Sequence, residues 1–152
     1  MKGKNTFRIK PPHIAFSLLF LSWLLDYIFP KFSFIKQPFN RIGVYVFILG
    51  IALMLWAFYL FKKNKTPIIP GQKPKFMVVE GAYKFTRNPM YLGVTTALLG
   101  AAIYFGNLLS FLLPIIFFVI MNSIYVPFEE KLLEELFGKK YLNYKKKVRR
   151  WI

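Results

Sequence analysis

The sequence predicts an all-α integral membrane protein. It should have four transmembrane helices, the third and fourth joined as a tight hairpin, followed by amphipathic interfacial helices at the C-terminus. Three observations carry this. Of the 152 residues, 56% are apolar and 20% aromatic, yet the formal net charge is +16. The apolar residues form long, charge-poor blocks of spanning length, and the basic residues gather between them. A soluble domain of this size keeps too much surface in water to hide so many large apolar side chains. A groove-binding basic domain has no need of such blocks, so no nucleic-acid partner is expected. The chain has no cysteine, which removes disulfides, zinc–thiolate sites and thiol catalysis. The length suits a single domain.

The spans follow in order. A basic segment (Lys2, Lys4, Arg8, Lys10) precedes a first apolar run over about 13–29, begun by Pro11 and Pro12 and ended by Pro30. No small-residue cleavage site follows it, so the run reads as a retained helix rather than a removed signal. Asp26 lies about one turn from its end, where a capped or snorkelling role is the favoured reading. The second span covers about 42–61, with Trp56 and Tyr59 near an end that Lys62, Lys63 and Lys65 close. A loop marked by Pro67, Pro70, Gly71 and Pro74 leads to Phe76-Met77-Val78-Val79, too short to span and expected to be extended. The third span, about 89–105, opens on Pro89, a residue well tolerated in a first helical turn. Its Gly93, Gly100, Ala101 and Ala102 permit close helix packing. Gly106-Asn107 is a tight turn into the fourth span, about 108–125, where Pro114 is a possible kink.

The basic residues orient this arrangement. With four spans, 19 of the 22 lysines and arginines fall on the side of both termini and 3 on the other. The positive-inside rule therefore places both termini on the cytoplasmic side of a cell or endoplasmic reticulum membrane. After Pro127, Phe128–Phe137 reads as a short amphipathic helix with Leu132, Leu133 and Leu136 on one face. Glu129 shares that face, whereas Glu130 with Glu134, and Lys131 with Glu135, are spaced for solvent. Residues 139–152 read as a second helix, with Tyr141, Tyr144, Val148 and Trp151 on one side and basic residues on the other. Such a helix lies in the interface, drawn to anionic headgroups by about 1 kcal/mol per basic residue.

Soluble-enzyme signatures are missing: there is no glycine-rich dinucleotide turn, no phosphate-binding loop, no metal-binding set and no Ser-His-Asp set. The single histidine, His13, sits at the start of the first span. Polar chemistry concentrates instead at Tyr83, Arg87, Asn88, Pro89, Tyr91 and Glu129. The amino end of the third helix favours a carboxylate or phosphate. Arg87 offers a bidentate contact, the tyrosines offer flat faces and hydroxyls, and Glu129 wants a cation. S-adenosylmethionine carries the matching groups. The competing reading makes these residues interfacial anchors, with Glu129 paired to a lysine.

The pattern Gly81-x-Tyr83-x-x-x-Arg87-Asn88-Pro89-x-Tyr91-x-Gly93 is followed by a second. This runs Glu129-Glu130-x-x-Leu133-x-x-x-Phe137-Gly138-x-x-Tyr141-x-x-Tyr144-x-x-x-Val148-x-Arg150. Together they resemble the isoprenylcysteine carboxyl methyltransferase and phospholipid methyltransferase group, over roughly the C-terminal half of the chain. The resemblance implies an integral membrane methyltransferase using S-adenosylmethionine. Its cofactor site would be built from segments of about 76–93 and 122–150. Met77, Val78, Tyr83, Asn88, Pro89, Met90, Tyr91 and Glu129 would line the cofactor, and Glu129, Arg87 and Asn88 would serve the reaction. Asn122 and Tyr125 would face the acceptor. The eukaryotic carboxyl methyltransferases have histidine where Asn88 stands and arginine where Tyr125 stands. The second departure argues against a prenylcysteine carboxylate as acceptor.

Methyl transfer from a sulfonium is an in-line displacement that needs alignment more than acid–base groups. The expected function is transfer of a methyl group to a lipid-like or hydrophobic acceptor at the cytoplasmic face. For an amine acceptor, Glu129 or Glu130 would be the base. Two other classes compete: a non-catalytic small membrane protein (a transporter or assembly partner), and a membrane reductase using NADPH on the same C-terminal architecture.

Overall fold

In the computed structural model, residues 9–65, 74 and 76–152 are described, and they are helical with no strand beyond a single Ser33–Asn107 bridge. Lys2, Lys4, Arg8 and the proline-marked loop at Pro67, Pro70 and Gly71 lie outside the described residues. Helix α1 spans Pro11–Ile28, α2 Ile42–Lys63, α3 Pro89–Phe105, α4 Leu112–Ile120, α5 Val126–Phe137 and α6 Lys139–Lys147. Pro11 and Pro89 each open a helix, where a missing N–H costs nothing. Three segments are long and apolar enough to cross a membrane: Pro11–Ile28, Phe39–Lys63 and Leu108–Phe137. Helix α3 is apolar but has 17 residues, about 25 Å at 1.5 Å per residue. Phe16, Phe20, Tyr45 and Leu49 are exposed on α1 and α2, as residues facing acyl chains would be.

Helices α2 and α3 pack closely, and glycine allows it. Gly43 and Gly50 on α2 face Gly100 and Gly93 on α3, backbone against backbone. A Cβ at Gly93 would sit 2.6 Å from the Met54 amide nitrogen, and one at Gly50 would sit 2.6 Å from the Gly93 carbonyl. In lipid, where apolar burial gives little drive, this contact holds the pair together. Of the small residues expected on the third span, Gly93 and Gly100 pack this way, and Ala101 and Ala102 are buried; the glycine partners on α2 were not foreseen.

Two boundary expectations are corrected. The chain does not break at Pro127. Helix α4 passes through a π-helical turn, Met121–Tyr125, directly into α5, where Pro127 is the second residue. Proline lacks an N–H, and its ring would strike the carbonyl four residues back in a regular helix. A widened turn just before it absorbs that conflict and keeps the helix continuous. The C-terminal helix does not reach Ile152. It stops at Lys147, and Val148 is extended (φ −120°, ψ 129°), so the last residues return toward the core. Pro114 falls in the first turn of α4, after a 3₁₀ turn at Leu108–Phe111.

At the opposite end, Gly106 takes a left-handed conformation (φ 71°) and Asn107 caps the next helix. Fully buried, Asn107 also donates to the Leu25 and Phe29 carbonyls. Asp26 accepts from the Ser33 hydroxyl at 2.6 Å, so it organises a helix end, the favoured reading of that carboxylate.

Candidate active site

The chain enters the site through an apolar, non-helical stretch. Val78 is buried and Met77 half-buried before Gly81 (φ 56°) starts a 3₁₀ turn, Gly81–Lys84. A side chain at Gly81 would meet Leu60, so this turn sits directly on α2. Val78, Ala82 and Tyr83 form a buried cluster with Ala57 and Leu60, and Met90 packs against it. The Tyr83 ring lies 5.3 Å from that of Phe61, and its carbonyl accepts from the Tyr144 hydroxyl at 2.6 Å. Burial first, then the charge of Glu129 and the nearby Tyr144, hold the Tyr83 hydroxyl protonated far above the usual tyrosine range. Tyr83 is therefore a hydrogen-bond donor and an aromatic wall, never a base at neutral pH.

Asn88 precedes α3 with φ −130° and ψ 51°, and Pro89 is the first helical residue. One turn in, the buried Tyr91 directs its hydroxyl to Glu129 Oε1 at 2.7 Å. Glu129 stands in the first turn of α5. The π turn and the continuous helix bring it opposite the start of α3. Among the described residues it forms no ion pair.

Glu130 behaves in the opposite way. Expected to face solvent, it is 6% exposed. Arg87 approaches its Oε1 at 3.0 Å, Arg150 its Oε2 at 2.8 Å, and Lys145 its Oε2 at 3.6 Å. Arg150 Nε also donates to Oε1 at 3.1 Å, making a bidentate pair. The reason is tertiary: Lys145 of α6, Arg150 of the returning C-terminus and Arg87 cover the face of α5 that carries residue 130. Arg87, a predicted site residue, is thus committed to Glu130. Its side chain is 9% exposed and its Nε has no hydrogen-bond partner.

The other candidates are also placed. The Asn88 side-chain amide donates to the Arg150 carbonyl at 3.0 Å. Asn122 Oδ1 accepts from Trp151 Nε1 at 3.0 Å and from Arg150 at 3.3 Å. Tyr125 is buried and donates to the Ile9 carbonyl at 2.6 Å. The structure therefore brings Tyr83, Tyr91 and Glu129 together with Val78, Pro89 and Met90 around them. It assigns Arg87, Asn88 and Asn122 to a second cluster centred on Glu130. Sequence reasoning missed Thr86, Arg150 and Trp151, although Arg150 closed the second motif and two arginines near a double glutamate were a readable signal.

Bilayer-length helices and a carboxylate–tyrosine pair at the start of a glycine-packed helix describe an α-helical membrane protein with a buried polar site. The phospholipid methyltransferase family pattern matches residues 39–140, and the chain belongs to that family. It is similar to protein-S-isoprenylcysteine O-methyltransferase B of Arabidopsis thaliana, with 27% identity over 145 residues, 90% of this chain and 71% of that one. It is 30% identical to the protein-S-isoprenylcysteine O-methyltransferase of Schizosaccharomyces pombe over 133 residues, 86% of this chain and 53% of the relative. Its fold resembles the eukaryotic intramembrane Ras methyltransferase, isoprenylcysteine carboxyl methyltransferase, solved without a monobody. The TM-score is 0.72 at 26% identity, covering 97% of this chain and 54% of that one. The chain spans about half the length of the last two proteins.

Proposed function

We propose that this protein transfers a methyl group from S-adenosylmethionine to a hydrophobic, lipid-like acceptor at the cytoplasmic face of a membrane. The observation that carries the reading is the Tyr91–Glu129 pair, a partly buried carboxylate fixed at 2.7 Å by a tyrosine and given no cation by the described residues. Its neighbour Glu130 takes three basic partners. A carboxylate left in this state suits a cationic ligand, and an ammonium or a sulfonium meets that need.

The donor set fits the cofactor. Glu129 supplies the negative group, and Tyr91 fixes its orientation. Tyr83 supplies a protonated hydroxyl and a ring face. Met77, Val78, Pro89 and Met90 supply the apolar walls. The amino end of α3 favours the ligand's carboxylate. When bound, S-adenosylmethionine supplies an electrophilic methyl on a sulfonium. The protein's task is alignment and exclusion of water, which favours a reaction that disperses charge. Arg87 and Asn88 serve it by holding the segment that carries Tyr83 and Tyr91. Tyr125 and Asn122 stand on the acceptor side. Tyr125 brings no cation there, which favours an acceptor other than a carboxylate.

The same reading places α1, α2, α3 and the Leu108–Phe137 helix across the bilayer as one four-span domain. The α3–α4 pair forms the hairpin and both termini are cytoplasmic, by the 19-to-3 basic asymmetry. The exposed lysines of α6 then meet anionic headgroups. Calorimetric titration of the purified protein with S-adenosylhomocysteine and with NADPH tests the cofactor assignment. Binding of the first, weakened by Glu129→Gln, is expected. Binding of NADPH alone would move the protein to the reductase class.

A further inference from the structure

The family pattern ends at residue 140, yet the segment that carries Arg87 and Asn88 is held by residues beyond it. The Arg87 amide donates to the Arg149 carbonyl at 3.0 Å. The Arg150 carbonyl receives both the Asn88 side-chain amide at 3.0 Å and the Thr86 hydroxyl at 3.1 Å. That hydroxyl accepts in turn from the Asn88 amide at 3.2 Å, and Thr86 is 4% exposed. The Arg150 side chain grips Glu130, and Trp151 is anchored by Asn122 and by the Phe118 ring at 4.6 Å. The last residues thus bond to three consecutive positions, Thr86, Arg87 and Asn88, immediately before the helix that presents Tyr91 to Glu129.

We infer that the extended C-terminal segment, Val148–Ile152, is a positioning strap for the cofactor site, acting on it through Thr86 and Asn88. None of its residues need touch the ligand. The strap satisfies the polar groups of the turn between Tyr83 and Pro89, which a helix start would otherwise leave open. It thereby fixes where α3 begins. Because Glu129 and Glu130 are adjacent on α5, the Arg150 grip also sets the rotation of Glu129 toward Tyr91. The inference rests on the cofactor reading proposed above.

The test is the Thr86 pair, read by S-adenosylhomocysteine titration of the full-length protein and by hydrogen exchange at the Arg87 amide. Thr86→Val keeps the shape and removes the hydroxyl, whereas Thr86→Ser keeps the hydroxyl and leaves a gap. The strap predicts that Thr86→Val raises the dissociation constant about tenfold and speeds Arg87 exchange. Thr86→Ser should stay within about twofold of the parent. A packing role predicts the reverse order, and that order overturns the inference. Trp151→Ala, which loosens the strap from outside the turn, should match Thr86→Val in both readouts; parental affinity with fast Arg87 exchange would also overturn it. If the parent protein does not bind S-adenosylhomocysteine, the cofactor reading falls and the strap inference with it. Equal affinity in parent and variants removes the strap inference alone.

Discussion

Two adjacent glutamates at this site take different partners. Glu129 has a tyrosine and no cation among the described residues, while Glu130 has two arginines and a lysine. Glu129→Gln keeps the shape and removes the charge. It should weaken S-adenosylhomocysteine binding by about 10- to 100-fold, the range for a lost charge-assisted contact, with little change in thermal unfolding. Glu130→Ala should do the reverse in emphasis. It strands Arg87, whose side chain is 9% exposed, and should cost about 3–5 kcal/mol of stability, read as a lowered unfolding midpoint in detergent. The inward position of Glu129 was legible in the sequence because it shares a face with the leucines of α5 and opens a spaced motif. The contacts of Glu130 were not, because its spacing to Glu134 read as a solvent face and its partners come from Arg87, Lys145 and Arg150 outside α5.

At the scale of elements, the two seven-residue glycine spacings set the approach of α2 and α3. Gly93→Ala forces a methyl to within 2.6 Å of backbone. It should destabilise the fold by about 1–3 kcal/mol or more, as overpacking does, again measured by thermal unfolding. Helix α6 makes a different contribution through Tyr141. Burial, with Glu130 adding, pushes its hydroxyl up to about 12 from an ordinary 10. A group raised in this way stabilises the fold fully below its unfolded value and loses that contribution as pH climbs through the folded value. Stability should therefore hold steady up to about pH 10 and erode toward 12, and Tyr141→Phe should flatten that decline. The helices themselves were readable from apolar runs bounded by prolines and lysines. The end of α6 was not, because Tyr141, Tyr144, Val148 and Trp151 keep a helical spacing by coincidence. Beyond Val148 the chain is instead held out of a helix, Trp151 by its hydrogen bond to Asn122 and the Arg149 and Arg150 carbonyls by bonds from the turn before α3.

For the molecule as a whole, orientation decides whether a soluble cofactor reaches the site. The chain has no cysteine, so single cysteines introduced at the exposed Lys31 and Lys147 report sidedness without background. An impermeant maleimide should label Lys147→Cys only from the cytoplasmic side and Lys31→Cys only from the other. Composition made the helical membrane fold legible; the acceptor was not, because methyl transfer by alignment asks for few groups that name a substrate. The most direct measurement of the central claim is transfer itself. Membranes containing the protein are incubated with methyl-labelled S-adenosylmethionine and a lipid extract, then partitioned into organic and aqueous phases. The account predicts label in the organic phase, lost with Glu129→Gln. Label confined to the aqueous phase, in a protein that still binds S-adenosylhomocysteine, would contradict it.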